Sequence, residues 1–274
     1  MVATPAENPV SATAYWTLAA RYADAMSARP VANDRFAERF TDDEARAVAH
    51  RFRSQRRASA SFPVRHRLID DLLARELERD PALRVVLLGA GFDSRAYRLD
   101  GGRWVEVDEP AVLDRKETRL PAREAPNELV RVPIRFAHTA LADVLAPYAT
   151  DERVAVVLEG ILGYLPAGQQ AELVGTLTEL FPRHVVLCDL TTRTFLARYG
   201  RRLVALLREA GARFESSDTP EAVFLEHGYR VTERISVAQR AVELGAQGAP
   251  PGLLVRLLPS LREGYCVWAL EHSP

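Results

Sequence analysis

Only two cysteines, Cys188 and Cys266, stand in 274 residues. Their spacing matches neither a metal site nor a redox motif, so both are expected to be free, buried thiols in a reducing cytosol. An excess of either charge is missing too, with 36 basic residues against 37 acidic ones. That balance argues against a nucleic-acid or other polyanion partner. No run of eighteen apolar residues occurs, so no spanning helix and no membrane partner are expected. The opening stretch, MVATPAENPVSATAYW, lacks the basic and apolar regions of a secretion signal, and the expected location is the cytoplasm. There is no internal repeat, and no metal is expected.

What is present fits one large α/β domain with an appendage: the length is ample and 47% of residues are hydrophobic. The first eighty residues read as helical. Ser11 to Ala28 carries Tyr15, Leu18 and Tyr22 on one face, and Pro30 breaks the pattern. NDRFAERFTDDEARAVAHRF follows with Asn33 or Asp34 as a cap, then FPVRHRLIDDLLARELERDP, closed by Pro81. Seven strand-like runs come next: LRVVLLGA, RWVEVD, ELVRVPI, RVAVVLEG, HVVLCDL, YRVTERIS and GYCVWALE. Helical segments such as PAGQQAELVGTLTELF and RYGRRLVALLREAG separate them. This alternation predicts a doubly wound, mainly parallel sheet in which the last strand could run antiparallel. A helical cap is expected over residues 1–80 and a core over 81–274, with a lid-like, Gly/Pro-interrupted insertion around 240–260.

The loop after the first strand, GAGFDSRAYRL, sits where α/β sheets bind ligands. Gly89 and Gly91 let backbone approach a ligand where a Cβ would clash. A dinucleotide fingerprint requires a third glycine at the position of Ser94, and Asp93 would repel a diphosphate. An acidic first turn suits a sulfonium or amino group better. The second strand ends at Asp108, nineteen residues after Gly89, the spacing at which an acid accepts hydrogen bonds from ribose hydroxyls. Together these residues indicate an adenosine-containing cofactor without saying which. The bland alternative is that Gly91 shapes a turn and Asp108 caps a helix.

Taken in order, TAYWTLAARYAD, FPVRHRLIDDLL, LLGAGFDSRAYRL, VEVDEPAVLDRK and LEGILGYL resemble the leucine carboxyl methyltransferase family over roughly residues 11–200. Within it, the chain is most similar to the bacterial O-methyltransferases of polyketide and other secondary metabolism. The resemblance implies a class I, Rossmann-like methyltransferase fold and S-adenosyl-L-methionine as cofactor, released as S-adenosyl-L-homocysteine. It places Gly89, Ala90 and Gly91, with Asp93, against the cofactor, and Asp108 and Glu109 at its ribose. Arg65 would pair with the cofactor carboxylate, for which a guanidinium fork is suited, with Arg67 as the fallback. Glu159 and Gly160 would lie beside the cofactor, Glu159 binding its amino group or lining the site. Tyr164 would face the transferred methyl or the substrate, although core packing is an equal reading.

One departure stands out. The family places an acid that reads the adenine amino group after the third strand, where this chain has Arg135. Arginine accepts no hydrogen bond. Backbone of Arg135 and Phe136 with stacking, or Asp143, would have to serve instead. Methyl transfer is an in-line displacement in which alignment can contribute on the order of 7–11 kcal/mol. No His–acid pair is placed by motif at the active face; His138 is the nearest candidate base, and a loop histidine is the plainer reading. A carboxylate, with a pKa of about 4, needs no base, whereas a phenol at about 10 does. The expected acceptor is therefore a carboxylate of a small secondary metabolite such as a polyketide. A phenolic acceptor, a cofactor-binding auxiliary or cyclase that no longer methylates, and a nicotinamide oxidoreductase are the competing readings. The sequence is silent on oligomeric state, leaving monomer or homodimer.

Overall fold

The computed structural model describes residues 9–52, 56–136, 138–209 and 214–274. The chain opens with α1 (Pro9–Ala25), α2 (Ala37–Phe40), α3 (Asp43–Phe52) and α4 (Arg56–Arg79). The sheet region then runs β1 (Arg84–Leu88), α5 (Arg95–Arg98), β2 (Arg103–Asp108), α6 (Pro110–Arg119), β3 (Glu128–Pro133), α7 (Leu141–Leu145), β4 (Val154–Leu158), α8 (Ala167–Leu180) and β5 (His184–Thr191). After it come α9 (Arg193–Tyr199), α10 (Arg201–Glu209), α11 (Ala222–Glu226), β6 (Arg230–Ser236), α12 (Val237–Glu243), α13 (Gly252–Leu257), α14 (Pro259–Arg262) and β7 (Tyr265–His272). All seven expected strands are present, and none of the described helices is long and apolar enough to cross a membrane.

Contacts group the residues into two compact units. Of the described residues, one holds those within 1–68, 191–218 and 236–266; the other holds those within 69–190, 219–235 and 267–274. Helices α9 and α10 and the segment around 240–260 therefore group with α1, α2, α3 and the start of α4.

In the first unit, α1 packs on α2 and α3, and Leu18, Phe40 and Val64 are all buried. Trp16 meets Phe62 edge to face and donates to Ser59 Oγ at 2.9 Å. The first helix stops at Ala25, not at Ala28 as expected, because the Asp24 carboxylate turns the chain. It accepts the N–H groups of Val31, Ala32 and Asn33 at 2.8, 2.9 and 3.0 Å. The next helix starts at Ala37, so neither Asn33 nor Asp34 is its cap. Asn33 is left-handed with φ 53°, and Asp34 pairs with buried Arg21 at 2.6 Å. The helical pattern that follows breaks at Thr41, and Asp42 caps the second piece through Ala45 N–H at 3.0 Å. Both cysteines are buried and free.

The second unit carries the sheet, in the order β3-β2-β1-β4-β5-β7-β6. Pairing is parallel for β1 with β2 and β4, for β2 with β3, and for β4 with β5. Val85–Leu88 and Val154–Leu158 are buried throughout, as continuous apolar strands covered on both faces must be. Edge strand β3 alternates instead. From β1 the chain winds outward through β2 to β3, then returns to β4 on the other side. The topological switch point, where such sheets bind ligands, therefore lies between β1 and β4. Two buried charged groups lock the outer layer to β2. Glu106 and Lys116 are both fully buried and 2.8 Å apart, and Arg131 of β3 reaches the second Glu106 oxygen at 3.0 Å.

Candidate cofactor site at the carboxyl ends of the central strands

The parallel register brings the ends of β1, β2 and β4 side by side, since Leu88 pairs with Val107 and Leu87 with Val157. Beyond Leu88 the chain turns through two left-handed glycines, Gly89 at φ 66° and Gly91 at φ 48°. The N–H groups of Gly89 and Ala90 both donate to Val107 O, at 2.9 and 3.1 Å. A Cβ on Gly89 would stand 2.5 Å from Ile161 Cγ2, so the loop after β4 lies directly on the loop after β1. Glycine is required at residue 89 by backbone conformation and by close approach together.

Asp108 closes β2 and is buried. Its two oxygens accept from Gly91 N–H at 2.5 Å and Glu109 N–H at 2.7 Å, so it anchors the glycine turn as well as its own loop. Burial raises its pKa above the usual aspartate value, opposed by those two hydrogen bonds and by Lys116. Each oxygen of a carboxylate has two lone-pair sites, so hydroxyl donors can still be accepted beside the backbone ones. Glu109 accepts Phe136 N–H at 3.2 Å, and Asp108 O accepts Ile134 N–H at 2.9 Å, tying the loop after β3 to β2.

After β4, Glu159 is partly buried and Gly160 takes φ 71°, its N–H donating to Asp189 Oδ1 at 2.6 Å. Tyr164 ends a 3-10 turn over Leu162–Tyr164 and is half-buried. Gln170 of α8 holds that turn, donating to Leu162 O and Leu165 O at 2.9 Å each. Arg135, Phe136 and His138 form an exposed turn in which Arg135 O accepts His138 N–H at 2.8 Å. Phe136 is 45% exposed, and its N–H is given to Glu109. Asp143 is exposed on α7.

Arg65 belongs to the first unit, where it is buried. It donates to Tyr265 Oη at 3.3 Å and lies over the Phe62 ring at 5.3 Å. The fallback, Arg67, faces outward and donates to Val31 O at 3.2 Å, bracing the turn after α1.

The residue that sequence reasoning missed is Arg95, the first residue of α5. Its guanidinium is completely buried. It donates to Asp70 of α4 at 2.5 Å, to Glu159 at 2.7 Å, and to Asp93. Burial pulls its pKa down, but Asp93, Glu159 and Asp70 outweigh that and hold it above the ordinary arginine value. Arg98 adds a second cation on Asp70 at 2.7 Å. Asp93 and Glu159 are thus partners of a buried cation as well as neighbours of the glycine turn. The available signals were the basic residue straight after Asp93–Ser94 and an acid, Asp70, inside the apolar stripe Leu68, Ile69, Leu72, Leu73.

Comparison with known proteins decides the family. The leucine carboxyl methyltransferase model matches residues 14–178. The chain belongs to this family. A Streptomyces coelicolor relative, a putative S-adenosyl-L-methionine-dependent methyltransferase, is 33% identical over 64% of this chain and 63% of its own. One from Mycolicibacterium gilvum, described in the same words, is 38% identical over 43% of this chain and 41% of its own. The matches thus span less than two thirds of these curated relatives. A third, the tetracenomycin polyketide synthesis O-methyltransferase TcmP of Streptomyces glaucescens, is 29% identical over 72% of this chain and 71% of its own. Among solved structures, a putative methyltransferase from Thermobifida fusca superposes with TM-score 0.59 at 16% identity, over 88% of this chain and 94% of its own. That likeness, with the strand order, makes the fold of this leucine carboxyl methyltransferase family member the class I methyltransferase fold.

Proposed function

We propose that the protein is an S-adenosyl-L-methionine-dependent O-methyltransferase acting on a carboxylate of a small secondary metabolite. The observation that carries this reading is the convergence at the switch point. The left-handed Gly89–Gly91 turn, the strand-ending Asp108 and the Glu159–Gly160 loop all meet at the carboxyl ends of β2, β1 and β4. This donor set fits an adenosine cofactor: a carboxylate for the ribose hydroxyls and a loop without a Cβ at its closest approach. When bound, S-adenosyl-L-methionine supplies an electrophilic methyl on a sulfonium centre. In the roles that the family resemblance gives them, Asp108 would receive the ribose and Glu159 would hold the amino end. The Arg135 side chain offers no acceptor for the adenine amino group, so the exposed Phe136 would stack on the base.

The acceptor assignment draws support from the family and from chemistry. A carboxylate is ionised at neutral pH and requires alignment rather than a base. His138, the candidate base, is exposed in the turn after β3. The relative TcmP is an O-methyltransferase of polyketide synthesis, which supports an oxygen-bearing polyketide acceptor. The test is transfer of a radiolabelled methyl to aromatic polyketide acids and to their phenolic analogues lacking the carboxyl. Label on the acids alone, released as methanol by mild alkali, is the expected result. Alkali-stable label on the phenols would give an ether-forming enzyme instead.

A further inference from the structure

We propose that Arg95 is a positioning residue for the cofactor: one guanidinium that fixes the loop after β1 and the loop after β4 relative to each other. This rests on the cofactor reading given above. Three carboxylates converge on Arg95 from three separate pieces of the fold. Asp93 comes from the turn after β1, Glu159 from the end of β4, and Asp70 from α4 behind them. The bonds are divided by atom: Nε goes to Asp70, one terminal nitrogen to Asp93 and the other to Glu159. A planar guanidinium with donors in fixed directions can serve three acceptors at once, which a rotating ammonium cannot do with the same geometry.

The arrangement does more than neutralise buried acids. Asp93 is bound at both oxygens, because Oδ1 also accepts the Arg95 N–H at 2.7 Å, so the turn and the cation define one rigid unit. Asp70 touches neither loop through any of these bonds; it holds Arg95 from behind, with Arg98 at 2.7 Å on its other oxygen. The side chain of Ile161, two residues beyond Glu159, rests on Gly89. A shift of Glu159 would therefore carry Ile161 across the glycine turn. Displacement of binding groups by about 1 Å can cost about 100-fold in function.

The test compares melting temperature with affinity for S-adenosyl-L-homocysteine, measured by calorimetric titration on protein shown by circular dichroism to be folded. Arg95→Gln is expected to lose about 100-fold in affinity. Arg95→Lys returns the charge but not the fork. It is expected to recover much of the melting temperature while staying at least tenfold weaker in affinity. A merely structural arginine would let affinity return together with stability. Wild-type affinity in folded Arg95→Lys or Arg95→Gln overturns the proposal. If neither variant folds, Asp70→Asn decides: a several-fold loss of affinity in folded protein supports the proposal, and no loss overturns it. Wild-type protein that fails to bind S-adenosyl-L-homocysteine would overturn the cofactor reading, and this proposal with it; wild-type binding with unaffected variants removes this proposal alone.

Discussion

Asp108 has one job in the structure and a second in the proposed function. It pins the Gly91 and Glu109 N–H groups, at 2.5 and 2.7 Å, and it is the acid assigned to the ribose. Removing it therefore loosens the glycine turn and deletes a ligand contact in a single step. Hydrogen bonds to a charged group contribute about 1.5–3 kcal/mol each. Asp108→Ala is expected to weaken S-adenosyl-L-homocysteine binding by roughly 100-fold, equivalent to about 3 kcal/mol. Titration calorimetry checks this, and a variant with full affinity would remove Asp108 from the site. The spacing of Asp108 from Gly89 was legible in sequence because an α/β unit fixes the distance between successive strand ends. Arg95 was not legible, because its meaning depends on Asp70 and Glu159, 25 and 64 residues away, converging on it. A lone charge beside a glycine loop has no reading until the packing around it is known.

At the level of elements, β5 and the chain just before β6 share a buried histidine network. His184 opens β5 with no exposure; its Nδ1 is 2.6 Å from Phe181 O and its Nε2 2.6 Å from Tyr229 Oη. The neutral ring donates from Nδ1 to the carbonyl and accepts the tyrosine hydroxyl at Nε2. Burial, with His272 and Arg153 nearby, lowers the His184 pKa to about 4 despite the opposing Phe181 carbonyl. The unfolded chain, with an ordinary value near 6.5, binds this proton first. Stability from His184 is therefore complete above about pH 6.5 and is lost as pH falls toward 4. Between pH 7 and pH 5 the loss is about 2 kcal/mol. Urea unfolding of His184→Phe is expected to start from a lower stability at pH 7 and to lack that extra slope. A parallel decline in variant and wild type would show that His184 does not titrate on unfolding. The strands themselves were readable as apolar runs, including β1 and β4, where burial on both faces removes any alternation. Helix boundaries were less readable. Asp24 and Asp42 redirect the chain by side-chain hydrogen bonds to backbone, a local chemistry that apolar periodicity does not register.

Across the whole molecule, a doubly wound, mainly parallel sheet was implied by alternation and by the family motifs, whereas the grouping of residues into compact units was not. Residues 191–218 and 236–266 associate with the N-terminal helices although they are distant in sequence, and no local pattern encodes such an association. The glycine turn, the Asp108 anchor and the β4 loop all lie in the unit that carries the sheet, whose central strands form its best-buried core. A ligand held there binds the folded state and not the unfolded chain, so it must raise the global melting temperature by mass action. At a free concentration of about 100 times Kd the gain is about 2.7 kcal/mol. In a chain of this size that corresponds to a shift of roughly 5–10 °C. S-adenosyl-L-homocysteine is expected to produce this shift, growing with the logarithm of its concentration, while NAD at equal concentration produces none. Ser94 in place of a third glycine is the reason for that selectivity. A melting curve moved by the dinucleotide and not by the adenosyl thioether would show that the Gly89–Gly91 turn holds a diphosphate. Asp108 would then be reassigned to the ribose of a nicotinamide cofactor.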